Sequence, residues 1–336
     1  MKNKLIIICL FALLFYGSTA AQDPIFTQFH SIPTLLNPSF SGASGNSRMN
    51  SGYRLQWLDY GNKITTQFAS FDTWSESLNS GIGVSIRNHT EEFTKYNFTQ
   101  IDLSYSYHVK LTREWTFLPG LSLGYGIKSF NFQGMLLGDQ IDIVNGSVNQ
   151  SSIDQTFNGN QVHFVDASTS FLLYNEKIWL GASIKHLNRP NISFSNGGNL
   201  PLSMFFSLHG GYLLSLSPKY RNTIFDETNL FLTFNYMQQS RYNRLDFGAQ
   251  IEIENLSFGI LVSTIPAKMD ANSHTLSSVN AIVGFKFSQF KVGISNDFST
   301  SNIGKMGGTY EITLQYNFEN IFDGFKRPRR LKCIPY

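Results

Sequence analysis

Residues 96–128 read YNFTQIDLSYSYHVKLTREWTFLPGLSLGYGIK, and this stretch decides the fold. In its first half, apolar side chains such as Leu103 and Tyr105 alternate with polar ones. In its second half, apolar side chains alternate with serine, glycine and lysine. Because side chains on a β-strand point to opposite faces with a period of two, each half predicts a strand with one apolar face. The short segment 110–113 between the halves predicts a turn, so the pair forms a β-hairpin.

The length of these two runs distinguishes a membrane sheet from a soluble one. Each run has about ten residues or more, the length of a tilted strand that crosses a bilayer, whereas ordinary strands average roughly five or six. Tyrosine, tryptophan and phenylalanine lie towards the ends of the apolar faces, where membrane barrels carry aromatic girdles. We therefore interpret the hairpin as the repeating unit of a transmembrane β-barrel that is surrounded by outer-membrane lipid.

The same alternation recurs along the chain and predicts an all-β protein, a transmembrane antiparallel β-barrel of about fourteen strands spanning residues 49–318. The predicted strands are 49–58, 64–74, 79–89, 96–110, 114–129, 162–175, 177–188, 201–217, 227–240, 242–254, 255–266, 277–288, 290–299 and 307–318. Short and long connections alternate, as in barrels whose short turns face the periplasm. This pattern predicts that both termini are periplasmic.

Residues 1–21 have the features of a signal peptide, which predicts export from the bacterial cytoplasm. Lys2 and Lys4 precede an apolar run from Leu5 to Tyr16, and small residues lead up to a cleavage site before Gln22. The apolar run is too short for a transmembrane helix. With that segment removed, Cys333 is the only cysteine left, so the sequence predicts no disulfide and no cysteine-based metal site.

Residues 22–48 are predicted to be an N-terminal plug or a periplasmic segment. Their three prolines exclude a regular barrel strand, because a missing N–H breaks the ladder. Their large apolar side chains nevertheless need burial, in the barrel lumen or against a protein partner at the periplasmic mouth. We favour the lumen, because the segment is tethered to the first strand. The candidate residues for plugging or partner binding are Asp23, Pro24, Phe26, Gln28, Phe29, Asn37, Pro38 and Phe40.

Residues 319–336 form a basic C-terminal tail that is predicted to be periplasmic. The alternatives for its charge run are a solvated tail that helps to set orientation and a docking strip for a periplasmic partner. The docking candidates are Arg327, Arg329, Arg330 and Lys332.

Charged residues recur on the polar faces of the predicted strands. They are Arg54, Arg87, Asp102, Lys110, Lys128, Lys185 and Glu252. An arginine or lysine facing lipid at mid-depth costs about 2–4 kcal/mol, so these side chains are expected in the lumen. There they are expected to pair with one another.

The sequence offers little support for an enzyme. Residues 120–124 match the G-x-S-x-G nucleophile elbow, but that elbow needs a sharp strand-to-helix turn, and Ser122 lies inside a predicted strand. The seven histidines show no H-E-x-x-H spacing. The net charge of +3 is too small to indicate a nucleic-acid partner. We therefore expect no catalytic residues, no cofactor, no metal and no nucleic acid.

Four short motifs carry a resemblance to a known family: QDPIFTQF at 22–29, NPSFSG at 37–42, GYRLQW at 52–57 and CIPY at 333–336. Together they resemble the PorP/SprF family of outer-membrane proteins of the type IX secretion and gliding system. The resemblance implies a barrel that partners a secreted surface protein, such as an adhesin with a type B C-terminal sorting domain. It also implies contact with periplasmic secretion or gliding components. A channel for small hydrophobic or polar solutes, similar to the fatty-acid channels, remains the alternative.

Overall fold

The computed structural model describes residues 23–58, 63–130, 140–142, 147–149, 161–195, 197–216, 228–267, 275–300 and 307–318. Within these ranges, fourteen long strands form one closed antiparallel sheet, which confirms the predicted barrel. The strands are β1 (Arg48–Gln56), β2 (Ile64–Ser75), β3 (Ser80–Glu91), β4 (Tyr96–Tyr107), β5 (Thr116–Ser129), β6 (Gln161–Tyr174), β7 (Ile178–Lys185), β8 (Phe205–Ser215), β9 (Thr228–Gln239), β10 (Tyr242–Ile253), β11 (Leu256–Thr264), β12 (Leu276–Phe287), β13 (Phe290–Ser299) and β14 (Thr309–Asn317).

Each strand pairs with its neighbours in sequence, and the barrel closes between the first strand and the last. In the closing pair, Arg48 lies opposite Asn317 and Gln56 lies opposite Thr309. A closed sheet leaves no strand edge unpaired, which is what a sheet in lipid requires.

The two faces of the wall have the polarity that the sequence predicts. Outward side chains such as Leu103 and Leu123 are 64% and 65% exposed. Inward side chains such as Asn235 and Asp246 are buried, although they are polar. The apolar face therefore points away from the lumen, opposite to the arrangement in a soluble protein.

Two predicted strands differ from the observed ones for local reasons. The predicted strand 96–110 is interrupted between Tyr107 and Val109, although the register continues from Ser106 opposite Gly120 to Val109 opposite Phe117. The gap lies opposite Pro119, which has no N–H to donate. The predicted strand 201–217 begins only at Phe205, because Pro201 forms a bridge with Asn191 in the preceding connection.

The connections divide the barrel ends into two mouths, which we name by their typical length. At the short-connection mouth, most turns are brief: 76–79, 175–177, 254–255 and 288–289. The connection 216–227 at this mouth is a longer exception. At the long-connection mouth lie 57–63, 130–160, 186–204, 265–275 and 300–308, together with the brief turns 92–95 and 240–241. Strand β1 begins, and β14 ends, at the short-connection mouth.

Two short helical elements lie before β1: α1 (Pro33–Leu36) and a 3-10 turn at Pro38–Phe40. No helix in the described residues is long and apolar enough to cross a membrane.

Candidate functional site: the plugged lumen

Residues 23–46, here called the plug, run along the lumen from one mouth to the other. At the long-connection mouth, the Asp23 N–H donates to Gln239 Oε1 at 2.7 Å, on the last residue of β9. Towards the short-connection mouth, the Gly42 N–H donates to Asp72 Oδ2 at 2.9 Å, near the end of β2. Asp23 and Phe318, the first and last described residues, therefore lie at opposite mouths, and the periplasmic location of both termini stays a prediction.

The prolines that exclude the plug from the wall also shape it. Pro33 begins α1 and Pro38 begins the 3-10 turn, positions where a missing N–H costs nothing. Asn37 caps the 3-10 turn, since its Oδ1 accepts the Ser39 N–H at 2.7 Å. The amide nitrogen of Asn37 donates to the Phe171 carbonyl of β6 at 2.9 Å, so the cap also ties the turn to the wall.

Phe40 is a fully buried apolar side chain that attaches the plug to the wall. Its side chain is fully buried in a cluster formed by Ala43, Leu118, Leu172, Tyr174 and Trp179. The ring meets Trp179 edge to face at 5.5 Å between centroids. Because the wall residues come from β5, β6 and β7, this cluster fastens the plug near the short-connection mouth.

Two further phenylalanines anchor the first half of the plug. Phe26 packs with Ile32 and with Phe68 of β2. Phe29 packs with Leu36 of α1 and with wall residues of β11 and β12, Leu261 and Ile282. These clusters pack the apolar side chains of the plug against apolar patches of the inner wall.

The first ion-pair cluster holds the start of the plug. Asp23 Oδ2 lies 3.2 Å from Arg87 Nη1 of β3, and Asp23 Oδ1 lies 3.2 Å from His186 Nε2. The other ring nitrogen, His186 Nδ1, lies 2.9 Å from Asp166 Oδ2 of β6. Burial alone would raise the pKa of Asp23, but Arg87 and His186 hold it well below its usual range.

His186 follows the last residue of β7, and its surroundings favour the protonated form of its ring. Burial by itself would lower its pKa, but Asp23 and Asp166 raise it to about 9. At neutral pH both ring nitrogens therefore carry a hydrogen, and each donates to a carboxylate. The imidazolium thus links the plug to the wall.

The second ion-pair cluster binds the plug backbone. Arg54 of β1 pairs with Glu311 of β14 and with Asp297 of β13, the latter at 3.1 Å. The N–H groups of Thr27 and Gln28 donate to the two oxygens of Glu311 at 2.8 and 3.0 Å. A buried carboxylate that receives a guanidinium and two backbone N–H groups forms strong, charge-assisted hydrogen bonds.

The third ion-pair cluster lies near the short-connection mouth. Arg48 Nε of β1 lies 3.1 Å from Asp72 Oδ1 of β2, and both side chains are buried. Arg48 Nη2 also donates to the Phe40 carbonyl at 3.4 Å, while Asp72 accepts the Gly42 N–H. All three clusters therefore use wall charges to hold plug groups. Of the charges that were expected to pair with one another in the lumen, Arg54 and Arg87 form ion pairs, but their partners lie outside the predicted set, and Lys110 is exposed beside the hairpin turn.

Two glycines of the wall make room for the plug. A Cβ at Gly81 of β3 would collide with the carbonyl oxygen of Ser41. A Cβ at Gly120 of β5 would lie 2.8 Å from the Ser39 backbone nitrogen.

The G-x-S-x-G motif at residues 120–124 forms no strand-to-helix turn. Its serine, Ser122, lies inside β5 opposite Ser104 and Ser168.

The structure brings all eight N-terminal candidates into the lumen. Asp23, Gln28 and Asn37 bond to wall side chains or carbonyls, the three phenylalanines occupy apolar clusters, and Pro24 and Pro38 line cavities. The four tail candidates, Arg327, Arg329, Arg330 and Lys332, lie outside the described residues.

Sequence reasoning missed the acidic partners Asp72, Asp166, Asp297 and Glu311. Their inward positions in the two-residue alternation could have indicated them.

Two cavities of about 30 Å³ each lie beside the plug, along with a smaller one lined by Gln28, His30 and Lys291. One of the two is polar and is lined by Arg87, Asp102, Asp166 and several serines. The other is apolar and lies between the plug and strands β7 to β9. In the described part of the chain, no group of three or more His, Cys, Asp or Glu residues is arranged to hold a metal ion.

Comparisons with known proteins agree with the barrel. The model of a family described as type IX secretion system membrane protein PorP/SprF matches residues 18–316. A mutant of TodX, a monoaromatic hydrocarbon channel, is 11% identical with a TM-score of 0.51, over 90% of this chain and 96% of that chain. A FadL homologue from Pseudomonas aeruginosa is 10% identical with a TM-score of 0.44, over 81% of this chain and 90% of that one.

An outer membrane protein of Acinetobacter baumannii is 8% identical with a TM-score of 0.43, over 81% of this chain and 98% of that chain. At such identities the similarity to solved structures concerns the fold alone. No curated protein matches the sequence.

Proposed function

The chain belongs to the PorP/SprF family of type IX secretion system membrane proteins, and on this premise we propose that it anchors a secreted cell-surface protein or assists its export. The proposed partner is an adhesin with a type B C-terminal sorting domain, in a system for secretion or gliding. The barrel is proposed to act without catalysis and without a cofactor.

The observation that carries this proposal is the attachment of the plug along the lumen. The plug is held near one mouth by the buried ion pair of Asp23 with Arg87, and near the other by the hydrogen bond from the Gly42 N–H to the buried carboxylate of Asp72. A solute channel needs a continuous path, whereas an anchor functions with its lumen filled. The fixed plug therefore supports anchoring over transport.

The proposed orientation places the short-connection mouth in the periplasm, as in other outer-membrane barrels. The tail that follows β14 would then be periplasmic, and its residues Arg327, Arg329, Arg330 and Lys332 are proposed to dock periplasmic secretion components. The long-connection mouth would face the cell exterior. The start of the plug, Asp23 and Pro24, would lie on the side where a secreted protein arrives.

The second candidate function is a channel for small hydrophobic or polar solutes. The two cavities beside the plug favour it, since together they leave unfilled space between the plug and the wall. The two functions differ in whether the plug must move, and this difference can be tested.

Affinity purification of the tagged protein from its native bacterium in mild detergent, followed by mass spectrometry, tests the anchoring function. We expect a large secreted surface protein in an amount comparable to the barrel. The control is the same purification with the tail charges at 327, 329, 330 and 332 replaced by glutamine, which should keep the surface protein and lose periplasmic components. Recovery of the barrel by itself would contradict anchoring.

Single-channel recording in planar bilayers tests the plug. The intact protein should be silent, and deletion of residues 25–40 should open a conducting pore. Because a deletion can impair folding, a cross-linked variant provides a second test. Ser39 Oγ and Ser170 Oγ lie 2.7 Å apart, so Ser39→Cys with Ser170→Cys, in a Cys333→Ser background, should form a disulfide.

The control pair is Ser39→Cys with Ser263→Cys. It places the second cysteine on a strand that Ser39 does not contact, so no disulfide should form. If the intact protein conducts and the disulfide silences it, the plug moves and the channel function is favoured.

A further inference from the structure

The wall of the lumen binds the main chain of the plug as well as its side chains. Five main-chain groups between Leu36 and Gly42 form hydrogen bonds with wall side chains at 2.7–3.4 Å. The carbonyls of Leu36, Phe40 and Ser41 accept from Ser183, Arg48 and Ser106, and the N–H groups of Ser39 and Gly42 donate to Ser170 and Asp72. In peptide recognition, main-chain hydrogen bonds supply affinity and pockets for side chains supply specificity. The wall therefore holds residues 36–42 as a peptide ligand is held.

The first half of this stretch requires an asparagine, a proline and a small residue. Asn37 Oδ1 accepts the Ser39 N–H at 2.7 Å, and the amide nitrogen of Asn37 donates to the Phe171 carbonyl at 2.9 Å. An aspartate has no amide hydrogen for the second bond. Pro38 begins the 3-10 turn. Ser39 Oγ lies 2.7 Å from Ser170 Oγ, which leaves space for a small side chain only.

The second half requires a phenylalanine, a small residue and a glycine. Phe40 fills the apolar cluster described above. Ser41 is fully buried, and its Oγ forms a hydrogen bond with a wall serine at 2.7 Å. Gly42 has a φ of +69°, and a Cβ there would lie 2.5 Å from Gly81 Cα, so only glycine is compatible. The pattern that the wall recognises is therefore Asn-Pro-small-Phe-small-Gly.

This part of the wall lies close to the short-connection mouth, and it binds without the covalent link to β1. The five side chains that bind the main chain all belong to wall strands, namely β1, β2, β4, β6 and β7. Residues 44–46 are half-buried and lead from Gly42 to Arg48, the first residue of β1. Once residues 37–42 have left, a polypeptide outside the barrel can therefore enter from this mouth without passing along the lumen.

We propose that this wall surface, here called the hexapeptide site, binds a segment of another polypeptide that carries the pattern Asn-Pro-small-Phe-small-Gly. Residues 37–42 occupy the site in the intact protein, so the plug and the incoming segment compete for it. The site recognises the incoming segment by its main chain and by its asparagine, phenylalanine and glycine. The proposal concerns the wall of the lumen alone, so it holds whether the barrel anchors a secreted protein or passes solutes.

Disulfide trapping with a synthetic peptide tests the proposal on the full mature chain in lipid nanodiscs. The matched peptide has the sequence of residues 36–43 with cysteine in place of Ser39, activated as a mixed disulfide with thionitrobenzoate. The protein carries Ser170→Cys and Cys333→Ser, because Ser39 Oγ and Ser170 Oγ lie 2.7 Å apart. The introduced thiolate attacks the peptide sulfur and releases thionitrobenzoate, whose absorbance gives the rate. Mass spectrometry should show one peptide for each barrel.

Phe40→Ala in the protein makes the site available, because it should increase local opening of the plug by roughly hundredfold or more. In this background, the matched peptide should react at least about tenfold faster than with protein that keeps Phe40. Asn37→Ala removes the cap of the 3-10 turn and provides a second opening variant, in case Phe40→Ala does not fold.

The matched control peptide carries Gly42→Ala. It should react at least about tenfold more slowly, because alanine is strained at a φ of +69° and its Cβ meets Gly81. Ser263→Cys is the control on the protein, since Ser263 is also fully buried but is hydrogen-bonded to the wall residues Arg244 and Asn280. It should form no adduct.

Three results would overturn the proposal. The first is a reaction of the two peptides at rates within about threefold of each other. The second is a reaction of Ser263→Cys as fast as that of Ser170→Cys. The third is the absence of an adduct in both opening variants.

Discussion

Replacing Phe40 by alanine should release the short-connection end of the plug from the wall. The side chain is fully buried against Leu118, Leu172, Tyr174 and Trp179, so the substitution leaves a large cavity. Substitutions of buried phenylalanine by alanine typically cost about 3–5 kcal/mol. If the plug opens locally, this loss corresponds to a roughly hundredfold to several-thousandfold larger open population.

Hydrogen exchange followed by mass spectrometry measures that population. Amides in residues 36–43 exchange through local opening, so their rates should rise by the same factor, while amides of distant strands such as β11 keep their rates. The matched control is Phe93→Ala, because Phe93 is 72% exposed in the connection between β3 and β4. Its effect should remain within about 0.5 kcal/mol. Exchange in residues 36–43 that rises less than threefold in Phe40→Ala would refute the anchoring role of this cluster.

Three further predictions concern other parts of the molecule. Raising the pH from 6.5 through about 9 should remove stabilisation on the order of 3 kcal/mol, because His186 has a raised pKa in the folded state and loses its proton there; denaturant midpoints should show this dependence, and His186→Gln should flatten it. Gly81→Ala should lower the denaturation midpoint by more than Gly259→Ala, because a Cβ at Gly81 meets the Ser41 carbonyl whereas one at Gly259 stays 3.3 Å from its nearest neighbour; equal midpoints would contradict the close approach. Protease added to intact cells should cut within 130–161 and spare 326–336, and the reverse pattern would invert the proposed orientation.

The wall of the barrel could be predicted from the sequence to within a few residues at most strand ends. Strand β13 has the predicted bounds, and β10 ends one residue before the predicted end. The reason is that alternation is a local property: each strand must place apolar side chains towards lipid and polar ones towards the lumen. The larger differences arose where a proline intervened, as at Pro119 and Pro201.

The path of the plug was only partly predictable. Its prolines and its apolar side chains indicate a buried segment outside the wall, and the structure places it in the lumen. Its direction was not indicated, because a segment tethered to β1 could fold back at the near mouth. Contacts at both ends, those of Asp23 and of Gly42, decide that it spans the barrel.

The sequence by itself determined which face of each strand is polar, and hence that Arg54 and Arg87 point into the lumen. It did not determine their partners. Arg54 meets Asp297 and Glu311, which follow it by 243 and 257 residues, because the closing pair of strands brings the two ends of the sheet together. Only the closed tertiary structure sets these pairs, since they depend on the register of every strand between them and on the position of the plug.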